Sequence, residues 1–407
     1  MRVLTHLPGV QPALGCSEPG AIALAAASAA KALGGHVLEI RVRCDPHTLK
    51  NSVGAGLPGG GGRHGPKLAA ALGALGGDPS LSLQVLAPLE ERHWRAAEAL
   101  VSEGHVHVSP SDSPAGSIYV EAWVTSSAGK ARALIEGSHS RLTEVEVEGV
   151  RLELSLSQAP GAPPPTPPPT DLEALIELAR SCDEEDARAL LEGLEMNLAA
   201  ARGGLEHDPA PSLDPGAQAE RFASAGSRER MEGSAAPVQT SGYSGNQGLV
   251  ATIPVWAQAE ALGSNQRALV EALAFSHLVG RLLRERTGVI SALCNAVQAA
   301  SAGAAAACVL LRGGGAEAAQ RAVELTLAGV AGTLCDGAKP ACALKVGLGA
   351  SRALQNAHYA LVGPAPTERD GVIGQSLSAT LENLERLARA LAAANREVLG
   401  IVLEKGT

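Results

Sequence analysis

Residues 159–170 read APGAPPPTPPPT, and this stretch decides how the rest of the chain divides. Proline lacks the N–H that helices and strand ladders need, and polyproline behaves as a stiff extended spacer. A linker is therefore expected at 159–170, with one folded unit before it (1–158) and another after it (171–407). Upstream, HVLEIRVRCD (36–45), GSIYVEAWVTSS (116–127) and LTEVEVEGVRLEL (142–154) show the two-residue alternation of half-buried strands. Between them, GPKLAAALGALGG (65–77) and ERHWRAAEALVSEG (91–104) read as helices. Downstream, helical spacing dominates. SCDEEDARALLEGLEMNLAAARGG (181–204) opens on a capping box from Ser181 to Glu184 and closes at Gly203. A second long helix spans 261–288 and stops at Gly288, and 376–400 forms an amphipathic helix. The fold class expected is α+β: an N-terminal α/β-type domain with a mixed sheet, then a mainly α-helical domain.

Composition bounds the function. Apolar residues make up 45% of the 407, but only 2% are aromatic, so the core is packed from Ala, Leu and Val and suits closely approaching helices. A formal net charge of −9 argues against nucleic acid, which needs clustered Lys and Arg. The start, MRVLTHLPGVQPALGC, lacks the apolar run of a signal peptide, and a cytoplasmic location is expected. Residues 288–311 carry no charge and are long enough to span a bilayer, but the stretch is mostly Ala with Ser, Asn and Gln. It reads as a helix buried on all sides, and no membrane partner is expected. Seven cysteines, an odd number, do not look like a disulfide framework.

Several stretches can carry chemistry. NSVGAGLPGGGGRHGPKLAAALG (51–73) is a glycine-rich loop feeding a helix, either an anion site or a plain turn, and it lacks the Gly-Lys-Ser/Thr ending of a P-loop. TSGYSGNQGLVATIPV (240–255) is a second such turn, whose Asn246 and Gln247 amides suit a carboxylate. GTLCDGAKPACALK (332–345) places Cys335 and Cys342 on one loop, where glycines and Pro340 turn both sulfurs inward. Disulfide, zinc, an iron–sulfur corner and inert packing are the readings open to that loop. The short Cys-x2-4-Cys knuckles of zinc fingers are missing. Cys294 begins the uncharged stretch and Cys16 precedes an Ala-rich helix, whereas Cys44, Cys182 and Cys308 read as small packed hydrophobes.

GCSEPGAIALAAA (15–27), KNSVGAGLPGGG (50–61), GYSGNQGLVATIPV (242–255) and CDGAKPACALK (335–345) occur in one order. In this the chain resembles the iron–sulfur L-cysteine desulfidase family, a relative of the catalytic chain of bacterial iron–sulfur L-serine dehydratases. The resemblance implies a [4Fe–4S] cluster and an α,β-elimination without pyridoxal phosphate. Cysteine would give pyruvate, ammonia and hydrogen sulfide; serine, the alternative substrate, would give pyruvate and ammonia. By similarity Cys294, Cys335 and Cys342 are the cluster ligands, leaving one iron open for the substrate.

The resemblance also implies roles for other residues. Cys16, just before a helix whose dipole lowers a thiol pKa, is the expected base, with fourth ligand or simple burial as alternatives. Lys345 is expected to neutralise the cluster or the substrate carboxylate, and Lys339 has the same two readings of charge neutralisation and surface solvation. Asn51, Ser244, Asn246, Gln247 and His139 are the implied substrate contacts. Ser140 and Arg141 depart from the family's His-Thr-Asn stretch, and Asn295 from a glycine. A non-catalytic amino-acid binder and a pyridoxal-phosphate lyase are the competing classes. The expected partners are a small amino-acid substrate and, as a homodimer, a second copy of the chain.

Overall fold

The computed structural model describes residues 3–113, 117–153, 169–205 and 214–405. The proline-rich stretch at 159–168 lies outside the described residues. Strand β1 (Pro12–Ala13) is followed by helix α1 (Ser17–Leu33), strand β2 (Val37–Cys44) and helices α2 (Pro46–Val53), α3 (Pro66–Gly76) and α4 (Glu91–Ser102). Strands β3 (Val106–Pro110), β4 (Tyr119–Ser126), β5 (Gly129–Glu136), β6 (Leu142–Val147) and β7 (Val150–Arg151) complete the first half. The sheet runs β3-β2-β4-β5-β6-β7; only the β2–β3 pair is parallel, so it is mixed, as expected. Ile40, Val42 and Cys44 of β2 point into the core, while Arg41 and Arg43 face solvent. The inward face packs on the alanines of α1 and α3. These helices touch so closely that a Cβ at Gly73 would lie 2.2 Å from the Ala23 carbonyl oxygen.

The second half is helical: α5 (Leu172–Arg180), α6 (Glu184–Gly204), α7 (Pro215–Met231), strand β8 (Val238–Gln239), α8 (Gly245–Leu262) and α9 (Gln266–Thr287). They are followed by α10 (Ser301–Leu311), α11 (Ala316–Val330), α12 (Cys342–Val362), α13 (Leu377–Ala390) and α14 (Ala392–Glu404). No helix among the described residues is long and apolar enough to cross a membrane.

Four expectations are corrected. The α6 cap is Asp183, not Ser181, because its carboxylate accepts the N–H groups of Glu185 and Asp186. Asp186, fully buried, also receives the N–H groups of Val3 and Leu4. The uncharged stretch is not one helix: 288–294 is a loop, a π-turn covers Ala296–Ala300, and α10 starts at Ser301. The amphipathic stretch 376–400 breaks at Leu391 into α13 and α14, which sends α14 back onto α2.

The helix expected over 261–288 starts later, at Gln266, because Gly263 in the left-handed region ends α8 and Asn265 caps α9. Both chain ends cross between the two cores. Val3 and Leu7 belong to the helical core and β1 pairs with β8, while Leu399 of α14 and Ile290 pack in the sheet core. The two cores therefore grip each other's chain ends, and a cavity lies where they meet.

Candidate active site

Cys294 and Cys335, distant in sequence, are brought together by a short antiparallel bridge between Leu293 and Leu334. The Cys294 N–H donates to Thr333 O (2.9 Å) and the Cys335 N–H to Ala292 O (2.7 Å). Cys342 opens α12 and its Sγ approaches Gly337 O at 3.6 Å. All three thiols line one cavity of about 100 Å3, together with Cys16, Glu18, Asn51, His139 and Arg230. That space is several times what one water needs. All seven cysteines are unbridged.

The loop carrying Cys335 and Cys342 is pinned from beneath. The Asp336 carboxylate accepts from Lys339 (2.6 Å) and Lys345 (2.5 Å), and the two ammonium groups overcome its burial to hold it down to about 2. Lys345 also donates to Leu334 O (2.7 Å). It is thus turned toward the loop and does not line the cavity, although its charge still works against burial at Cys294. Burial, then the neighbouring Cys335, pushes Cys294 up to about 12. Burial likewise raises Cys342, against the pull of Lys339. Buried Lys50, just before Asn51, donates to Cys335 O and to Asn395 Oδ1 of α14, both at 2.5 Å. Asn295, where a glycine was expected, accepts from Thr287 Oγ1 (3.0 Å) and donates to Gly288 O (3.1 Å), closing the loop ahead of the π-turn.

A polar group faces the thiols. Cys16 is the N-cap residue of α1, and its Sγ donates to Glu18 Oε2 at 2.8 Å. Glu18 Oε1 accepts from Asn51 Nδ2 (2.8 Å) and lies 3.9 Å from His139 Nε2. Asn51 Oδ1 in turn accepts a weak bond from Cys335 Sγ at 3.8 Å. The lowering expected for Cys16 from the helix dipole is overturned: burial and then the Glu18 charge raise its thiol well above the ordinary range, against the weaker pull of Arg230. Burial opposes ionisation of Glu18 as well, but His139, the Cys16 thiol and Asn51 together hold its carboxyl below the usual value. Burial lowers His139, and both of its ring nitrogens lack a hydrogen-bond partner.

The third side of the cavity is the start of α8. Ser244 is its N-cap, and its Oγ accepts the Gln247 N–H at 3.5 Å. Asn246 Oδ1 accepts from Arg230 Nη1 (2.9 Å) and Ser227 Oγ (3.0 Å), and Gln247 Oε1 from Arg284 Nη1 (3.3 Å). Of the ten residues expected at the site, nine line this cavity and Lys345 stands behind it. Sequence reasoning missed Glu18, Lys50 and Arg230. The glycine-rich loop does not open here as an anion cradle: the Gly56 and Gly59 N–H groups are spent on the Met231 and Gly233 carbonyls, docking the loop on the end of α7.

The family described as serine dehydratase alpha chain matches residues 90–399. The chain belongs to the serine dehydratase alpha-chain family. Relatives covering nearly the whole chain extend the likeness past both ends of that match. A UPF0597 protein of Desulfatibacillum aliphaticivorans is 35% identical over 97% of this chain and 96% of its own. One from Oleidesulfovibrio alaskensis is 36% identical with the same coverage, and one from Kosmotoga olearia 33% identical over 98% and 97%. Membership in the serine dehydratase alpha-chain family supports a lyase of amino-acid catabolism. The family match contains Cys294, Cys335, Cys342, His139, Arg230 and the start of α8; Cys16, Glu18 and Asn51 precede it.

Proposed function

We propose that the chain is a lyase that converts L-cysteine to pyruvate, ammonia and hydrogen sulfide by α,β-elimination, using a [4Fe–4S] cluster held by Cys294, Cys335 and Cys342. The observation that carries this reading is the meeting of those three thiols in one cavity with the Cys16–Glu18 pair. The donor set fits the group. Thiolates are the ligands such clusters take, and coordination to iron deprotonates a thiol that burial otherwise holds protonated. Among the described residues no group of three or more His, Cys, Asp or Glu is drawn tightly enough to hold a single metal ion. Held by these three thiolates, the cluster would supply a Lewis acid to the substrate's leaving group.

The chain's own residues handle the proton. Cys16 is the proposed base for the Cα proton. It is protonated at rest, and its Sγ–H already points at Glu18 Oε2, an ionised carboxylate. At rest the proton stays on Cys16, so its transfer to Glu18 is the uphill part of the step and is coupled to uptake of the Cα proton by the sulfur it leaves. The Cα–H electron pair then forms the Cα=Cβ bond and hydrosulfide departs from Cβ. The 2-aminoacrylate released tautomerises to an imine, which water converts to pyruvate and ammonia. Asn51 holds Glu18 in register, and Ser244, Asn246, Gln247 and His139 are the proposed substrate contacts. Lys345, tied to Asp336, is proposed to hold the loop and offset thiolate charge. L-Serine dehydratase activity is the second reading, favoured by the description of the matching family.

The test is anaerobic reconstitution with iron and sulfide, followed by pyruvate and sulfide assays on both amino acids. The reading expects brown protein, a broad visible band, and both products from L-cysteine. Pyruvate from L-serine alone supports the dehydratase. A loaded cluster with no turnover of either amino acid contradicts the lyase.

A further inference from the structure

We propose that Arg230 and the N-terminus of α8 together take the α-carboxylate of the substrate, so that the site selects ligands carrying a carboxylate; this rests on the amino-acid lyase reading. Arg230 is 3% exposed and forms no ion pair with any described carboxylate, although a guanidinium this deeply buried normally has a counter-charge. Its Nη1 is held by Asn246 Oδ1 at 2.9 Å and lies 4.0 Å from Met231 Sδ, while its Nε has no partner at all. The side chain nevertheless lines the cavity. A missing negative charge beside an accessible opening points to an anionic ligand.

The start of α8 supplies matching donors. α8 spans Gly245–Leu262, and helix geometry leaves its first N–H groups without intrahelical acceptors while the macrodipole favours negative charge. A Cβ at Gly245 would sit 2.4 Å from Arg230 Nε, so glycine is what lets the guanidinium lie against the helix start. Because Asn246 Oδ1 is committed to Arg230 and Ser227, its Nδ2 remains as a further donor. The nearby Glu18 carboxylate repels a second one at its own side of the cavity and suits the substrate's ammonium group instead. An α-amino acid thus has one favoured orientation, carboxylate toward Arg230 and amine toward Glu18.

The experiment is calorimetric titration of the anaerobically reconstituted protein with L-serine and with ethanolamine, which keeps the amine and hydroxyl but lacks the carboxylate. The wild type is expected to bind L-serine at least ~10-fold more tightly than ethanolamine. Arg230→Gln should weaken L-serine by roughly 30-fold or more and leave ethanolamine unchanged. Arg230→Lys, keeping charge but losing the fork, should fall between. Iron content and melting temperature are recorded for each variant, and if Arg230→Gln does not fold, Arg230→Lys decides by the same ratio. The proposal is overturned if L-serine binding survives the substitution, if ethanolamine weakens as much as L-serine, or if the wild type shows no preference for the carboxylate. A wild type that binds L-serine through Arg230 yet yields no pyruvate from either amino acid breaks the lyase reading alone. Turnover with an unchanged KM in Arg230→Gln breaks the carboxylate site alone.

Discussion

Cys294 and Cys308 lie on the same uncharged stretch of chain, and burial pushes both thiols up to about 12. Acidity does not separate them; surroundings do. Cys308 is fully buried among the alanines of α10, with Pro254 O as a distant acceptor at 3.7 Å. Cys294 stands before the π-turn, where the helix has not yet closed, and feels Cys335, Cys342 and Lys345. The same side chain is filler at one end of the stretch and a candidate ligand at the other. What marks the candidate ligand is a cavity shared with other thiols.

Substitutions can break this contrast. The largest effect is expected for Cys294→Ala or Cys335→Ala, which should remove the visible absorbance and lower elimination by at least ~10³-fold; retained colour and turnover would cancel the distinction. Next, Glu18→Gln should lower kcat by roughly 10²-fold with a much smaller change in KM, since it loses the acceptor of the Cys16 proton. Steady-state kinetics on the cluster-loaded variant decide this, and an unchanged kcat would remove Glu18 from the proton path. Lys50→Met leaves Cys335 O and Asn395 Oδ1 without their donor and should cost about 3 kcal/mol in denaturant unfolding, with faster iron loss.

Acid should weaken the helical half through His277, which burial and then Arg284 depress to about 3 in the folded chain. The unfolded chain takes up this proton below about pH 6.5 while the folded chain does not, so stability present above that pH is lost as pH falls toward about 3. From this residue alone the loss is about 2 kcal/mol at pH 5. Denaturant curves at pH 7 and pH 5 should show it, and His277→Gln should flatten the slope; an equal slope in the variant would refute the assignment. The smallest effect is expected for Cys308→Ala, roughly 1 kcal/mol in stability with iron content and activity intact.

Much of the site was legible because its residues sit in short motifs. Cys335 and Cys342 share a loop, and Ser244, Asn246 and Gln247 share a helix start. Glu18 was overlooked although it lies two residues from Cys16; an acid in the first turn of a Cys-capped helix is a usable signal, but the ordinary role of such an acid, interaction with the dipole, hides it. Arg230 carries no local signal, because its meaning comes only from contact between α7 and α8. Strand β5 escaped because Ala131, Ala133, Leu134 and Ile135 are all buried, which blurs the alternation that reveals β2 and β4. The crossing of the chain ends was invisible for a related reason. Pairing of β1 with β8 and docking of α14 on α2 are long-range events that periodicity does not encode.

The most direct measurement compares two triple variants after anaerobic reconstitution, Cys44→Ala/Cys182→Ala/Cys308→Ala and Cys294→Ala/Cys335→Ala/Cys342→Ala, by iron per chain and visible absorbance. The account predicts about four irons and a brown chromophore in the first and neither in the second. Iron and colour persisting in the second would contradict it.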